Sequence, residues 1–258
     1  MASVASTTEA PSAGGAQTKP VSMSDAAHCV SPAALAELFH ACAWFADLSA
    51  EHQDLVLSTA RAEHVAGGAW VARRNAPSDY WLGVHSGLLK LSVYNESGRS
   101  CTFSGVPPGC WFGEGSVIKR ELRKYDVVAL RPSLVMQVPA ATFLALLAAS
   151  LPFAHFVIGQ MNDRMGEFIA SIQNHRLLDP DARVAQALAR LLRPHPRAPA
   201  GASLAISQEE LGFLTGLSRQ RVNQALQMLA DQRILALAYN QITALDPDRL
   251  RRYGLDQI

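Results

Sequence analysis

Apolar and polar positions change their rhythm several times along the chain. From Ser31-Pro32 to about residue 60 the spacing is helical: Leu35, Leu38 and Phe39 give one helix its apolar face. Trp44 and Phe45 sit in a connector, and Ser49 leads a second helix carrying Leu55, Val56 and Leu57. From 62 to 138 short apolar runs alternate with turn residues. Val65, Trp70-Val71, Trp81–Val84, Leu88–Tyr94, Cys101–Phe103, Asp126–Leu130 and Leu134–Val138 read as strands. His85-Ser-Gly87, Asn95–Gly98 and Pro107-Pro-Gly109 read as turns between them. Several short strands at this spacing predict a β-sandwich or barrel-like roll.

Helical spacing returns at residue 140. A short apolar helix spans 140–150, and a long one begins near Leu151. Leu151, Ala154, Ile158, Met161, Met165, Phe168 and Ile172 alternate three and four residues apart, which is an a/d seam. Such a seam faces either a core or a second copy of the helix. Its length of about three heptads and its place between two domains favour the second copy. After the break Leu178-Asp-Pro180, residues 181–192 form another amphipathic helix, and Pro194, Pro196 and Pro199 make a linker.

Ile206 to Leu229 reads as two helices joined by a tight turn. Ser207 with Glu210 forms a capping box. Gly216 suits the left-handed end of the first helix, and Ser218 caps the second. Val222, Leu226 and Leu229 face inward; Arg219, Gln220, Asn223 and Gln224 form a polar face near that helix's N-terminus. This is the layout of a helix-turn-helix, whose second helix reads base edges in the major groove. Arg219 suits guanine, Gln220 or Gln224 suits adenine, and Ser218 and Arg221 are placed for phosphates. Two short strands around Tyr239-Asn240-Gln241 would form a wing.

The fold class expected is therefore α+β: an N-terminal double-stranded β-roll of jelly-roll type, a long dimerisation helix, and a C-terminal winged helix-turn-helix. The divisions fall at 1–30, a tail poor in large apolar groups that reads as disordered; 31–150, the sensing roll; 151–177, the dimer helix; and 178–258, the DNA-binding domain.

Composition adds limits. The net charge of the 258-residue chain is +1, so affinity for a polyanion must come from a local patch. Cys29, Cys42, Cys101 and Cys110 show no zinc-like spacing, and they read as reduced thiols of a cytoplasmic protein rather than a redox or iron–sulfur sensor. No apolar run reaches membrane-spanning length and no signal peptide is indicated, so no membrane partner is expected. His85 reads as a solvated turn residue, and Trp44, Trp70, Trp81 and Trp111 as core or rim aromatics. No nucleophile–base pair, metal cluster or Walker-type loop is found, so neither catalytic residues nor a metal site are assigned.

The order of these parts resembles the Crp/Fnr family of bacterial transcription regulators over roughly residues 32–253. Gln208–Gly212 and Gly216–Val222 carry the likeness most specifically, followed by Arg183–Leu188 and Phe112-Gly-Glu114. The resemblance implies double-stranded DNA as a partner, a homodimer on an inverted repeat, RNA polymerase if the protein activates, and an effector in the roll. It places the effector at Gly113, Glu114, Gly115, Arg123, Lys124 and Tyr125, and the dimer contact at Ile158, Met161, Met165, Phe168 and Ile172.

In the family's cyclic-AMP receptors an Arg-Ser pair follows the Glu by ten residues, and a Thr-Ser pair on the dimer helix holds adenine. Here those positions fall on Lys124-Tyr125 and Phe168-Ile169. Four altered contacts make cyclic AMP a poor fit and leave cyclic di-GMP, a metabolite carboxylate or no ligand open. The basic run Lys119–Lys124 is either a solvated loop or an anion pocket. Iron–sulfur sensing lacks a clustered N-terminal cysteine motif, and haem would rest on His85 alone. On the second helix the receptors' Arg-Glu-x-x-x-Arg falls on Arg219, Gln220 and Gln224, so the operator should differ from theirs. The rival is an effector-sensing or interaction protein without sequence-specific DNA binding.

Overall fold

The computed structural model describes residues 30–94, 100–193 and 203–255. The tail expected at 1–30, the Asn95–Gly98 turn and the proline linker lie outside these, apart from Val30. Val30 belongs to the folded body, since its N–H donates to the Ala62 carbonyl at 3.1 Å.

Three helices open the chain: α1 (Pro32–His40), α2 (Ala43–Ala46) and α3 (Ala50–Thr59). Ser31 and Ser49 cap α1 and α3 through their hydroxyls. The connector expected at Trp44-Phe45 is instead the short helix α2, with both rings buried. A six-stranded antiparallel sheet follows, in the order β1 (Arg61–Val65), β6 (Asp126–Pro139), β3 (Tyr80–Tyr94), β4 (Ser100–Val106). The pair β2 (Trp70–Ala72) lies against β6, and β5 (Trp111–Phe112) against β3.

Two features of this sheet differ from the sequence reading. His85-Ser-Gly87 is not a turn between strands: β3 runs through it for 15 residues. Likewise Arg131-Pro-Ser133 is a bend inside β6. The β3–β6 register shifts at Val84/Ser86, Ser86/Leu88 and Leu88/Leu89, so both strands bulge at one place and fold the sheet over itself. The Ser133 hydroxyl accepts the Leu88 N–H at 3.2 Å and donates to the Arg131 carbonyl at 2.8 Å. Gly87 has φ +98°, and a Cβ there would lie 2.1 Å from Ser133 Oγ. Gly87→Ala should cost at least about 2 kcal/mol of stability in denaturant unfolding, from strained backbone plus overlap.

The roll's inner core holds Val84, Leu89, Val127, Ala129 and Val135. A second core, rich in rings, lies between the roll and the helices: Phe39, Trp44, Trp81, Trp111, Phe143 and Phe153. Trp81 and Trp111 stack at 4.1 Å. Three of the four tryptophans are thus core residues, while Trp70 is 37% exposed.

Helices α4 (Glu114–Lys119) and α5 (Ala140–Ala149) precede α6, which runs from Leu151 to Leu177. Ser150 caps α6, and Phe153 and Val157 bury its inner face. The C-terminal part comprises α7 (Pro180–Leu191), β7 (Ser203–Leu204), α8 (Gln208–Thr215), α9 (Arg219–Asp231), β8 (Leu235–Ala238), β9 (Gln241–Ala244) and α10 (Pro247–Arg252). Its three-stranded sheet has the order β7-β9-β8. Among the described residues no single helix is long and apolar enough to cross a membrane.

The two parts dock on each other. Leu88 of the roll lies in the same core cluster as Leu188, Leu211, Val222 and Leu226. The Lys90 ammonium, 8% exposed, meets Glu210 at 2.6 Å. This contact alters the capping box expected at α8. Ser207 does accept the Glu210 N–H at 3.1 Å, but the Glu210 carboxylate goes across the interface to Lys90 instead of back to Ser207. Glu210→Ala leaves a buried ammonium without its counter-charge, and should cost about 3 kcal/mol in thermal or denaturant unfolding.

Candidate nucleic-acid interface and effector pocket

Helix α9 stands on the C-terminal part's surface because its apolar stripe is anchored. Val222, Ala225, Leu226 and Leu229 are buried, and Leu211 and Leu214 of α8 meet them. Gly216 takes φ +65° and ends α8, and the Ser218 hydroxyl accepts the Arg221 N–H at 3.2 Å to start α9. This places Arg219, Gln220, Asn223 and Gln224 together on the exposed face. Asn223 is oriented by α8, since its side-chain oxygen accepts from Gln208 Nε2 at 2.9 Å. Arg221 behaves differently. It turns back to Asp181 of α7 at 2.7 Å, and that hydrogen bond raises its pKa further above the ordinary arginine value. The sequence places Arg221 for a phosphate; here its charge is paired with Asp181 in a partly exposed position.

Beside α9 lies a cleft of about 620 Å³ walled by Arg219, Gln227 and the β8–β9 turn. At that turn Asn240 adopts φ +52°, and Tyr239 is fully exposed. Tyr239 was not among the sequence's interface residues; its place at the tip of an expected wing was the available signal.

The second constellation sits where the roll meets α6. Gly113, with φ +91°, precedes α4, and Glu114 is buried in its first turn. Arg164 of α6 reaches this point: one guanidinium nitrogen meets Glu114 Oε1 at 2.5 Å, the other the Trp111 carbonyl at 2.5 Å. A forked guanidinium that spans a carboxylate and a carbonyl fixes the helix against the roll. The Glu114 Oε2 atom is buried and has no partner among the described residues.

The basic run after Glu114 divides. Lys119 and Arg120 are exposed, and Lys124 pairs with Glu121 at 3.0 Å on the surface. The inward cation is Arg123, 5% exposed, which donates to the Tyr80 carbonyl at 2.7 Å. Burial lowers the Arg123 pKa from the usual arginine value, though arginine stays charged. Of the two neighbouring cations named from the sequence, Arg123 thus turns inward and Lys124 faces solvent. Tyr125 packs on the roll's inner core and neighbours Arg164, Glu114 and Arg123. Burial raises its phenol pKa above the ordinary value. Gly115 is the second residue of α4, and a Cβ there would meet open space.

A cavity of about 130 Å³ adjoins these groups, walled by Leu91, Phe103, Trp111, Arg164, Phe168 and Arg190. Pockets for drug-sized ligands usually occupy about 300–1,000 Å³, so in this conformation the cavity is small for a nucleotide. In its wall the Glu167 carboxylate pairs with Arg193 at 2.6 Å, joining α6 to the chain just past α7.

Along α6 the seam residues stand in the open, with Phe168 at the edge of the cavity. Ile158, Met161, Met165, Phe168 and Ile172 are 42–59% exposed. Ile169, outside the predicted seam, widens the stripe at 59% exposure. His85, expected in a turn, is half-buried within β3. No group of three or more metal-ligating side chains occurs among the described residues.

Known protein families match the chain on either side of α6. Residues 62–150 match the cyclic nucleotide-binding domain, and residues 182–253 match the Crp-like helix-turn-helix domain. The cAMP-activated global transcriptional regulator CRP of Pasteurella multocida is 26% identical over 154 residues, 58% of this chain and 73% of that protein. The cyclic AMP receptor protein of Thermus thermophilus is 26% identical over 193 residues, 75% of this chain and 88% of that protein. Among solved structures, FixK2 from Bradyrhizobium japonicum superposes with a TM-score of 0.65 at 18% identity, covering 75% of this chain and 96% of that one. The c-di-GMP-responsive global regulator CLP of Xanthomonas campestris gives 0.58 at 19%, covering 77% and 100%. With a cyclic nucleotide-binding domain followed by a Crp-like helix-turn-helix on one chain, the protein belongs to the Crp/Fnr family of DNA-binding transcription regulators.

Proposed function

We propose that the protein is a cytoplasmic homodimer that binds an inverted-repeat operator and is controlled through the roll. The observation that carries this is the capped, anchored α9 with Arg219, Gln220, Asn223 and Gln224 exposed on one face. Arg219 reads a guanine, and Gln220 or Gln224 favours adenine. The apolar stripe of α6 pairs with its copy in a second protomer, which sets the two recognition helices about one DNA turn apart. The domain divisions are those of the sequence: roll to residue 150, dimer helix 151–177, DNA-binding domain from 178. RNA polymerase is a partner if the protein activates.

The effector is not cyclic AMP held in the receptors' manner. Glu114 is engaged by Arg164, Arg123 by Tyr80, and the positions expected to hold adenine are Phe168 and Ile169. An effector acts by opening or tightening the Glu114–Arg164 bridge, because that bridge ties the roll to the helix that spaces the two DNA-binding domains. A ligand shifts this balance only by binding the two arrangements differently. Calorimetric titration with cyclic AMP, cyclic GMP and cyclic di-GMP tests this. The reading predicts no heat with cyclic AMP; binding of cyclic di-GMP, lost in Glu114→Ala, would name the effector. Tight cyclic AMP binding would contradict the reading of the pocket.

A further inference from the structure

A second cavity, of about 180 Å³, lies outside the effector pocket, between the N-terminal helices, the roll and the first turns of α6. Its walls are mostly apolar, with Trp44, Val84, Trp111, Met136 and Phe156; His85, Cys42 and Gln160 are the polar members, and no aspartate, glutamate, lysine or arginine lines it. It opens beside Ala41 and Ala43, which are exposed. Trp44 is 2% exposed, and its indole N–H has no acceptor among the described residues. A buried indole donor normally finds a partner. A cavity of about 150 Å³ with apolar walls stays dry and holds benzene. The space here therefore fits one aromatic ring with a small substituent.

We propose that this cavity is a binding site for a small neutral aromatic compound bearing a hydrogen-bond acceptor, which takes the Trp44 indole N–H. No lysine or arginine lines the cavity, so a carboxylate or phosphate desolvated there lacks a permanent counter-charge and a neutral ligand fits better; His85 is the one basic side chain in the wall. The site is placed to be felt elsewhere. Trp111 and Gln160 line both this cavity and the effector pocket, and the Trp111 carbonyl holds Arg164. Phe156 and Gln160 belong to α6. A ring seated here thus bears on the dimer helix through Phe156 and Gln160, and on the Arg164 bridge through Trp111.

The test uses the full chain without DNA, labelled with nitrogen-15, and follows the indole N–H signals. The chain has four tryptophans, so Trp44→Phe assigns the Trp44 signal by its disappearance. Acetophenone, ethylbenzene and benzoate are the probes: the same ring with an acceptor, without one, and with a charge. The expected result is that acetophenone shifts the Trp44 signal and binds about five- to tenfold more tightly than ethylbenzene, the factor one neutral hydrogen bond supplies. Benzoate does not bind. Trp44→Phe brings acetophenone to the ethylbenzene level, and Ala43→Phe, which plugs the mouth from the surface, removes binding of both. No binding of acetophenone or ethylbenzene to the folded wild type overturns the proposal. So does equal binding of the two with the Trp44 signal unmoved, or binding of benzoate as tight as acetophenone.

Discussion

Arg219→Ala should weaken sequence-specific DNA binding by more than about tenfold while leaving the fold intact. Arg219 is the first residue of α9, exposed, and outside the core that anchors the helix. A bidentate arginine–guanine contact supplies about 1–3 kcal/mol of discrimination. A dimer loses two such contacts, so operator affinity should fall by about 30-fold to about 10⁴-fold, whereas binding to unrelated duplex changes little. Fluorescence anisotropy at one fixed salt concentration measures both. Arg219→Lys separates charge from geometry. It keeps the positive charge and hence the salt dependence, but lacks the planar fork. Specificity should drop nearly as far as with alanine. Unchanged operator binding in Arg219→Ala would mean that α9 does not read the site.

Met165→Glu should break the dimer. Met165 is 57% exposed in the middle of the α6 stripe. A carboxylate there would be buried without a partner when two helices pair, a cost of several kcal/mol. Light scattering should show a monomer, and operator affinity should fall on the order of 10²- to 10⁴-fold as two-site binding is lost. Ala170→Glu, on the same helix but off the seam, provides the control: it should remain dimeric and bind as the wild type does. If Met165→Glu is dimeric with full affinity, the exposed stripe serves some other contact.

The helix-turn-helix was legible in the sequence because its determinants are local. Ser207, Gly216 and Ser218 act within four residues of themselves, and Val222, Leu226 and Leu229 declare their face by spacing. What could not be read there was Glu210, whose partner Lys90 lies 120 positions away. The same holds for Arg164. It sits beside a dimer seam as an ordinary charged residue until the fold brings it to Glu114, 50 positions earlier. In the roll, local composition misled. His85-Ser-Gly87 and Arg131-Pro-Ser133 have the residues of turns, yet each bend is held by the other and both strands continue through. Helices α2, α4 and α10 are four to six residues long, too short for periodicity to register. The sequence named Arg123 and Lys124 together; that Arg123 turns inward and Lys124 outward depends on the chain's course after α4, which spacing does not show.

One measurement bears most directly on the reading as a dimeric operator-binding protein. The purified full-length protein is offered a pool of random DNA duplexes, and bound sequences are recovered through several rounds and read. The account predicts enrichment of an inverted repeat with half-site centres about one helical turn apart. Each half-site should carry a guanine whose preference vanishes in Arg219→Ala. Enrichment of an asymmetric or single half-site, or no enrichment from a folded protein in the presence of its effector candidates, would contradict it.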